Sequence, residues 1–291
     1  MLPLSQKFIK NLQQLSIRTR KSFLGSRQGA HVSSRRGHGL EFADYKPYTA
    51  GDDVRLLDWG VYGRSDRLYV KQFREEQDLN VLIAIDSTSS MSIPLDNPKF
   101  SYAKSLALAL SCAILSSGDA VCFGTTNGVV SPRMRGTKSL TRAYSFLNQL
   151  KLVNVDSLAD SFAKLSARVR LPGKCFIISD FLSPILDVEE SLRAVRSRGF
   201  DVIAIQVLSD IELNLSDDFS DVLLVDAESG IETQLALGKD VRQVYKDRVL
   251  AHCSAIKSHC QKHDITYLLA STGDDLEKVL LEELPRLGVF E

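Results

Sequence analysis

From position 79 onward the chain carries short apolar, largely β-branched runs: Leu79 to Ile85, Ala120 to Phe123, Lys174 to Ile178, Val202 to Val207 and Ile265 to Leu269. Each is nearly continuous in hydrophobicity rather than alternating, which is the pattern of strands buried on both faces of a parallel sheet. Between them lie stretches with helical spacing near 99–116, 138–150, 157–168, 188–198, 240–263 and 273–286. This alternation predicts an α/β fold, a doubly wound and mostly parallel sheet with helices on both faces. Val222–Asp226 and Ile231–Leu237 read as an antiparallel pair joined through Glu228-Ser229-Gly230, with a glycine where a tight turn wants one. No internal repeat or low-complexity tract interrupts the pattern.

The first 78 residues read differently. Leu4, Phe8, Leu12 and Leu15 recur at helical spacing with Lys7, Lys10 and Arg18 between them, predicting a basic amphipathic helix within 4–20. From Gly25 to Gly63 helical period is lost among glycines, charges and aromatics, and turn signals such as Gly51-Asp52-Asp53 predict short strands and turns. The expected organisation is an N-terminal helix and β appendage over 1–78, followed by the sheet domain over 79–291.

Charge changes this picture in one place. The 291 residues hold 36 Lys and Arg against 36 Asp and Glu, so net charge neither attracts nor repels nucleic acid. Residues 1–40 nevertheless contain eight Lys and Arg and no acid, which sets a basic arm beside an acidic body. Lacking stacking aromatics, that arm implies no specific nucleic-acid partner, while peripheral contact with a membrane surface stays open. No apolar run reaches the roughly 18 residues of a membrane span, and the N-terminus lacks a secretory signal, so a cytoplasmic protein is expected. The five cysteines, Cys112, Cys122, Cys175, Cys253 and Cys260, are odd in number and read as reduced core thiols.

Candidate chemistry is sought where strands end, because open α/β sheets bind ligands outside the carboxyl ends of their strands. After the strand ending at Ile85 comes Asp86-Ser87-Thr88-Ser89-Ser90-Met91, and after the one ending near Ile178 comes Ser179-Asp180-Phe181. Between them, Arg135-Gly136-Thr137-Lys138 opens a helix. These residues resemble the metal-ion-dependent adhesion site of the von Willebrand factor A domain, with Thr88 where that motif usually has serine. The resemblance implies that Asp86, Thr88, Ser90, Thr137 and Asp180 hold magnesium or manganese. Magnesium takes near-octahedral oxygen coordination and keeps several waters, so two carboxylates with several hydroxyls suit it and leave a position for a partner's acidic side chain. The competing reading is that Asp86 to Ser90 caps the helix that follows.

A longer series precedes that motif: Gly29-Ala30-His31-Val32-Ser33, Gly37-His38-Gly39-Leu40-Glu41-Phe42, Asp44-Tyr45-Lys46-Pro47-Tyr48, Gly51-Asp52-Asp53-Val54-Arg55, Asp58-Trp59 and Leu68-Tyr69-Val70-Lys71. With Asp180-Phe181, Ala204 to Val207 and Asp226 to Gly230, it resembles the bacterial family called domain of unknown function fifty-eight. Lys46 and Gly63 depart from its usual arginine and alanine. The resemblance implies a partner of MoxR-type AAA+ ATPases and their client proteins, chaperone-like and without catalysis of its own. From the residues alone, the charges between Glu41 and Glu76 read as an ion-pair network around a packed tryptophan, or else as a docking surface anchored by Arg55 and Trp59.

Two other chemistries are weighed. A haloacid-dehalogenase-type phosphatase would use Asp86 as nucleophile but wants a second aspartate two residues on, where this chain has Thr88. His259 and His263 have the i, i+4 spacing of a shared zinc, without a Cys-x-x-Cys partner elsewhere. Walker, zinc-protease and serine-hydrolase motifs are absent. The expected function is therefore metal-dependent protein recognition.

Overall fold

A computed structural model describes residues 4–18, 41–74, 79–96, 98–153, 155, 157–169, 173–213, 221–225, 232–236 and 239–291. The chain forms two compact units, one of residues 1–20 with 79–291 and one of 21–78. The division differs from the expected 1–78 and 79–291. Helix α1 (Gln6–Leu12) belongs to the sheet unit, because Phe8 and Leu12 are buried there, α1 packs against the long helix α3 (Lys99–Ser116), and Ile17 bridges Phe290. Ser5 caps α1 by accepting from the Phe8 amide at 3.1 Å.

The larger unit is built on a six-stranded sheet. Its strands are β3 (Asn80–Ile85), β4 (Ala120–Thr125), β5 (Met134–Arg135), β6 (Gly173–Ser179), β7 (Asp201–Leu208) and β10 (Thr266–Ser271), in the order β10-β7-β6-β3-β4-β5. All neighbours pair in parallel except β5, a two-residue edge strand antiparallel to β4. The strand order reverses between β3 and β6, which is the switch point of a doubly wound sheet. Val81 to Ile85 are buried without exception, as both-face coverage requires.

One face is covered by α5 (Leu158–Ala167), α6 (Ile185–Ser197) and α8 (Lys239–Lys262), with Phe162, Leu192 and Ile256 against Leu82, Ile177 and Ala204. The other carries α3, which is apolar nearly all round, and α4 (Leu140–Gln149), whose Phe146 stacks on Phe123 of β4. A helix without a polar face survives only when covered on several sides. The chain closes through α9 (Leu276–Lys278), a π turn at Val279–Glu283 and α10 (Leu284–Arg286). All five cysteines are free, four of them buried. The expected antiparallel pair is present as β8 (Asp221–Val225) with β9 (Glu232–Ala236), its turn lying outside the described residues. No described helix is long and apolar enough to cross a membrane.

The smaller unit pairs β1 (Glu41–Pro47) antiparallel with β2 (Tyr69–Arg74), with an irregularity between Phe42 and Asp44. It also contains a helix where none was expected, α2 (Trp59–Ser65). Asp58 starts that helix by accepting from the amides of Gly60 and Val61 at 2.9 and 3.1 Å. The same carboxylate accepts from the Tyr45 hydroxyl at 2.8 Å and pairs with Lys71 at 3.1 Å, tying helix to hairpin. Residues 19–40, which carry most of the basic arm and the first glycine-rich motifs, lie outside the described residues.

Candidate functional site

The carboxyl ends of β3 and β6 meet at the switch point, and the Asp86 amide donates to the Ile178 carbonyl at 2.8 Å, so the two loops leave the sheet side by side. Asp86 is fully buried and its carboxylate is wholly engaged. Its Oδ1 accepts from the Thr88 amide at 3.0 Å and the Thr88 hydroxyl at 2.9 Å, and its Oδ2 accepts from the Ser179 hydroxyl at 2.6 Å. The chain continues outward: Thr88 Oγ1 lies 3.0 Å from Ser90 Oγ. Three oxygens from alternate positions are thus linked in succession at 2.9 and 3.0 Å spacings. Oxygens at adjacent positions around an octahedral magnesium, with bonds of 2.0–2.1 Å, stand about 2.9 Å apart.

Asp180 follows β6 and is also buried. The turn behind it is made by Phe181, which is fully buried with φ of 51°, a left-handed conformation uncommon for a bulky residue. The strained turn is fastened on three sides. The Phe181 amide donates to Ser179 Oγ at 2.9 Å, His252 Nε2 of α8 donates to the Phe181 carbonyl at 2.7 Å, and Gln206 of β7 donates to the Asp180 carbonyl at 2.9 Å. Gln206 is held in turn by the Tyr267 hydroxyl of β10 at 2.6 Å, so a polar ladder crosses three strands to fix Asp180.

Asp180 also has a partner that sequence reasoning missed. Lys99, the first residue of α3 and 1% exposed, places its ammonium 2.8 Å from Asp180 Oδ2 and 2.6 Å from Glu212 Oε1. Glu212 lies in α7 (Asp210–Leu213), just beyond β7. A cation at a helix N-terminus opposes the helix dipole, and that local misfit is the signal that marks Lys99 in the sequence. Three carboxylates and one ammonium leave the cluster with surplus negative charge. Burial, then the Asp180 charge, push the Asp86 carboxyl up to about 6, against the lowering effect of its Ser179 and Thr88 hydrogen bonds.

Thr137 is not part of this cluster. β5 runs antiparallel to β4 with Arg135 opposite Ala120, so the chain reaches Thr137 at the amino end of the sheet, whereas Asp86 follows Ile85 at the carboxyl end. The two are a strand length apart, roughly 20 Å. Two other loops approach the Asp86 turn: after β4, buried Thr126 accepts from the Ser87 amide at 3.0 Å through its hydroxyl oxygen, and before α5 the Val153 amide donates to the Ser87 carbonyl at 2.7 Å, Ser157 ending that loop as the cap of α5. The capping alternative for Asp86 to Ser90 also fails, because α3 begins at Lys99, after Pro98, with no side-chain cap.

The donor set fits a hard divalent cation through Asp86, Thr88 and Ser90, with Asp180 beside them and held by Lys99. Among the described residues there is no group of three or more His, Cys, Asp or Glu side chains placed for a metal, so a cation here depends on the hydroxyls. His259 lies beside Glu189 at 3.4 Å and stacks near His263, without the further ligand that zinc needs. In the smaller unit, Arg55 pairs with Asp53 at 2.7 Å, and Trp59 is 64% exposed rather than packed, with Tyr62 edge-on at 6.2 Å. Among the described residues these charges form separate pairs, Lys46 with Asp52, Arg55 with Asp53 and Lys71 with Asp58, and none of them surrounds Trp59 as a packed centre.

The protein family described as "Protein of unknown function DUF58" matches residues 44–255. Uncharacterized proteins of Mycobacterium tuberculosis and Mycobacterium bovis are each 28% identical over 84% of this chain and 79% of theirs. Among solved structures, the conserved hypothetical protein BatB from Bacteroides thetaiotaomicron is similar over 72% of this chain and 98% of its own, with TM-score 0.45 and 17% identity. The pilus adhesin SpaC of Lactobacillus rhamnosus GG is similar over 73% of this chain and 30% of its own, with TM-score 0.44 and 10% identity.

Proposed function

The chain belongs to the DUF58 family, and we propose that it is a non-catalytic, cytoplasmic recognition module whose switch-point cluster binds a partner protein through magnesium or manganese. The observation that carries this reading is the run of Asp86 Oδ1, Thr88 Oγ1 and Ser90 Oγ at octahedral-edge spacings, in a buried cluster with surplus negative charge. Asp86, Thr88 and Ser90 would hold the ion, with Asp180 nearby and oriented by Lys99. When bound, the ion supplies a Lewis-acidic position that a partner carboxylate can occupy.

The surface around the cluster supports a protein partner over a small ligand. Leu95 after β3, Val153 before α5 and Leu182 after β6 are exposed on the loops that follow or precede the cluster's strands, and Leu186 is exposed in the first turn of α6. Apolar side chains clustered around a polar centre are the anatomy of a recognition surface. The phosphatase alternative suits the site less well, because the position two residues on, where that chemistry wants a second aspartate, is Thr88, whose hydroxyl donates to Asp86. The partner proposed is a MoxR-type AAA+ ATPase, with Arg55 and Trp59 of the smaller unit as a second contact.

The test is capture of the purified ATPase on immobilised chain, wild type and Ser90→Ala, with magnesium and with chelator. Retention by wild type in magnesium alone supports the reading. Equal retention in all four conditions removes the metal from it.

A further inference from the structure

Away from the switch point, a cleft of about 450 Å³ opens between α1, α3 and the loop after β10. Its floor carries an anomaly. Tyr102 of α3 is 7% exposed, and its buried hydroxyl has no hydrogen-bond partner among the described residues. Leaving such a group unpaired costs about 1–3 kcal/mol, so native proteins seldom keep one without a use for it. Burial first, then the charges of Asp274, Glu283 and Asp275, raise the phenol above its ordinary value, so the hydroxyl keeps its proton and its oxygen stays a neutral acceptor.

The wall facing Tyr102 is acidic. Asp274, Asp275 and Glu277 line the cleft, and among the described residues no basic side chain does. Asp274 accepts from the Ser271 amide at 2.7 Å, and Asp275 caps α9 through the Glu277 amide at 3.0 Å. Among the described residues, neither bond brings a positive charge. Of the cations nearby in sequence, Lys278 lies 4.0 Å from Glu283, Arg286 lies 3.4 Å from Glu282 and Lys104 sits over the Phe100 ring, and neither these nor Lys7 lines the cleft. The remaining wall is mixed: Phe8 of α1 and Leu276 are apolar, and Ser5, Ser101, Ser105 and Thr272 add hydroxyls.

We infer that this cleft binds an organic cation, a guanidinium or alkylammonium on a short apolar stem. The charged head would donate to the Asp275 and Glu277 carboxylates and to the Tyr102 oxygen, and the stem would lie along Phe8 and Leu276. Charge-assisted hydrogen bonds are the strong ones, and aromatic faces near a cation add to them. The ligand is either a free amine or the side chain of an arginine-bearing peptide, which share this chemistry.

Agmatine and the blocked peptide acetyl-Ala-Arg-Ala-amide, titrated into isotope-labelled full-length chain and followed by amide chemical shifts, test the inference. Saturable shifts confined to α1, α3 and residues 272–277 are expected with at least one probe, the tighter of the two identifying the source. Asp275→Asn, which can keep the cap, and Glu277→Gln should each weaken binding about tenfold, the loss of one charge-assisted hydrogen bond. Tyr102→Phe should also weaken binding while leaving the unliganded protein as stable as wild type or more so, because it removes an unpaired hydroxyl. Absence of saturable shifts with both probes, shifts unchanged in the Asp275→Asn and Glu277→Gln variants, or loss of unliganded stability in Tyr102→Phe would each overturn it.

Discussion

Replacing Asp86 with Asn separates a binding role from a folding role. Burial and the neighbouring Asp180 charge push the native carboxyl up to about 6, against 3.8 for the unperturbed group. About two pKa units correspond to about 3 kcal/mol. Above pH 6 both folded and unfolded chains are ionised there, and the native state carries that cost in full. As pH falls from about 6 to about 4, the native state takes up a proton that the unfolded chain does not, so stability rises and then levels off. Asparagine keeps the oxygen that Thr88 donates to, and its amide can donate to Ser179, whose hydroxyl turns to accept. Asp86→Asn should therefore stabilise the metal-free protein by about 3 kcal/mol at pH 8, roughly 6 to 12 °C in melting temperature for a unit of this size. At pH 4.5, still above the unfolded value, the gain should fall to about 1 kcal/mol. The assay is urea unfolding by far-ultraviolet circular dichroism, with chelator, at both pH values. His259, held below its ordinary value chiefly by burial, works in the opposite sense as pH falls. Taking the difference between variant and wild type at each pH cancels it. A loss of stability at pH 8, or an equal gain at both pH values, refutes the reasoning.

Lys99→Met should destabilise the sheet unit by about 3–5 kcal/mol, because it strands Asp180 and Glu212 without their shared cation; a loss under 1 kcal/mol in the same unfolding assay contradicts that. Trp59→Ala should change stability by no more than about 0.5 kcal/mol, as exposed positions do, yet weaken ATPase capture, and a large stability loss would show that the side chain is packed. The smaller unit should loosen as pH falls from about 4 towards 2. Hydrogen bonds from Thr49, Arg55 and Tyr45 respectively hold Asp52, Asp53 and Asp58 at about 2, so their contribution is complete above the unfolded value and is lost through the folded one. Anisotropy of the single tryptophan, Trp59, reads that loosening, and a transition centred above pH 5 disagrees.

The sheet was legible because its strands are largely buried on both faces, so β3, β4, β6, β7 and β10 each appear as nearly continuous apolar runs. Asp86 and Asp180 were legible for the same reason, as the first polar groups after such runs. Thr137 was misplaced because β5 is two residues long and carries no periodic signal; its antiparallel return sends the following loop to the wrong end of the sheet. Lys99 was missed because a lysine opening a helix looks solvated until its two carboxylates converge from the loop after β6 and from α7, 81 and 113 residues away. Helix α2 escaped because Gly60 and Gly63 mask its period, and the Asp58 cap that starts it was read as part of a charge network.

Direct titration of manganese into the metal-free chain, followed by water-proton relaxation, tests the central claim. Wild type should take up one ion, Ser90→Ala and Thr88→Val should bind at least tenfold more weakly, and Thr137→Ala should match wild type. Uptake that is absent from wild type, or unchanged in the Thr88 and Ser90 variants, contradicts a cation at the switch point.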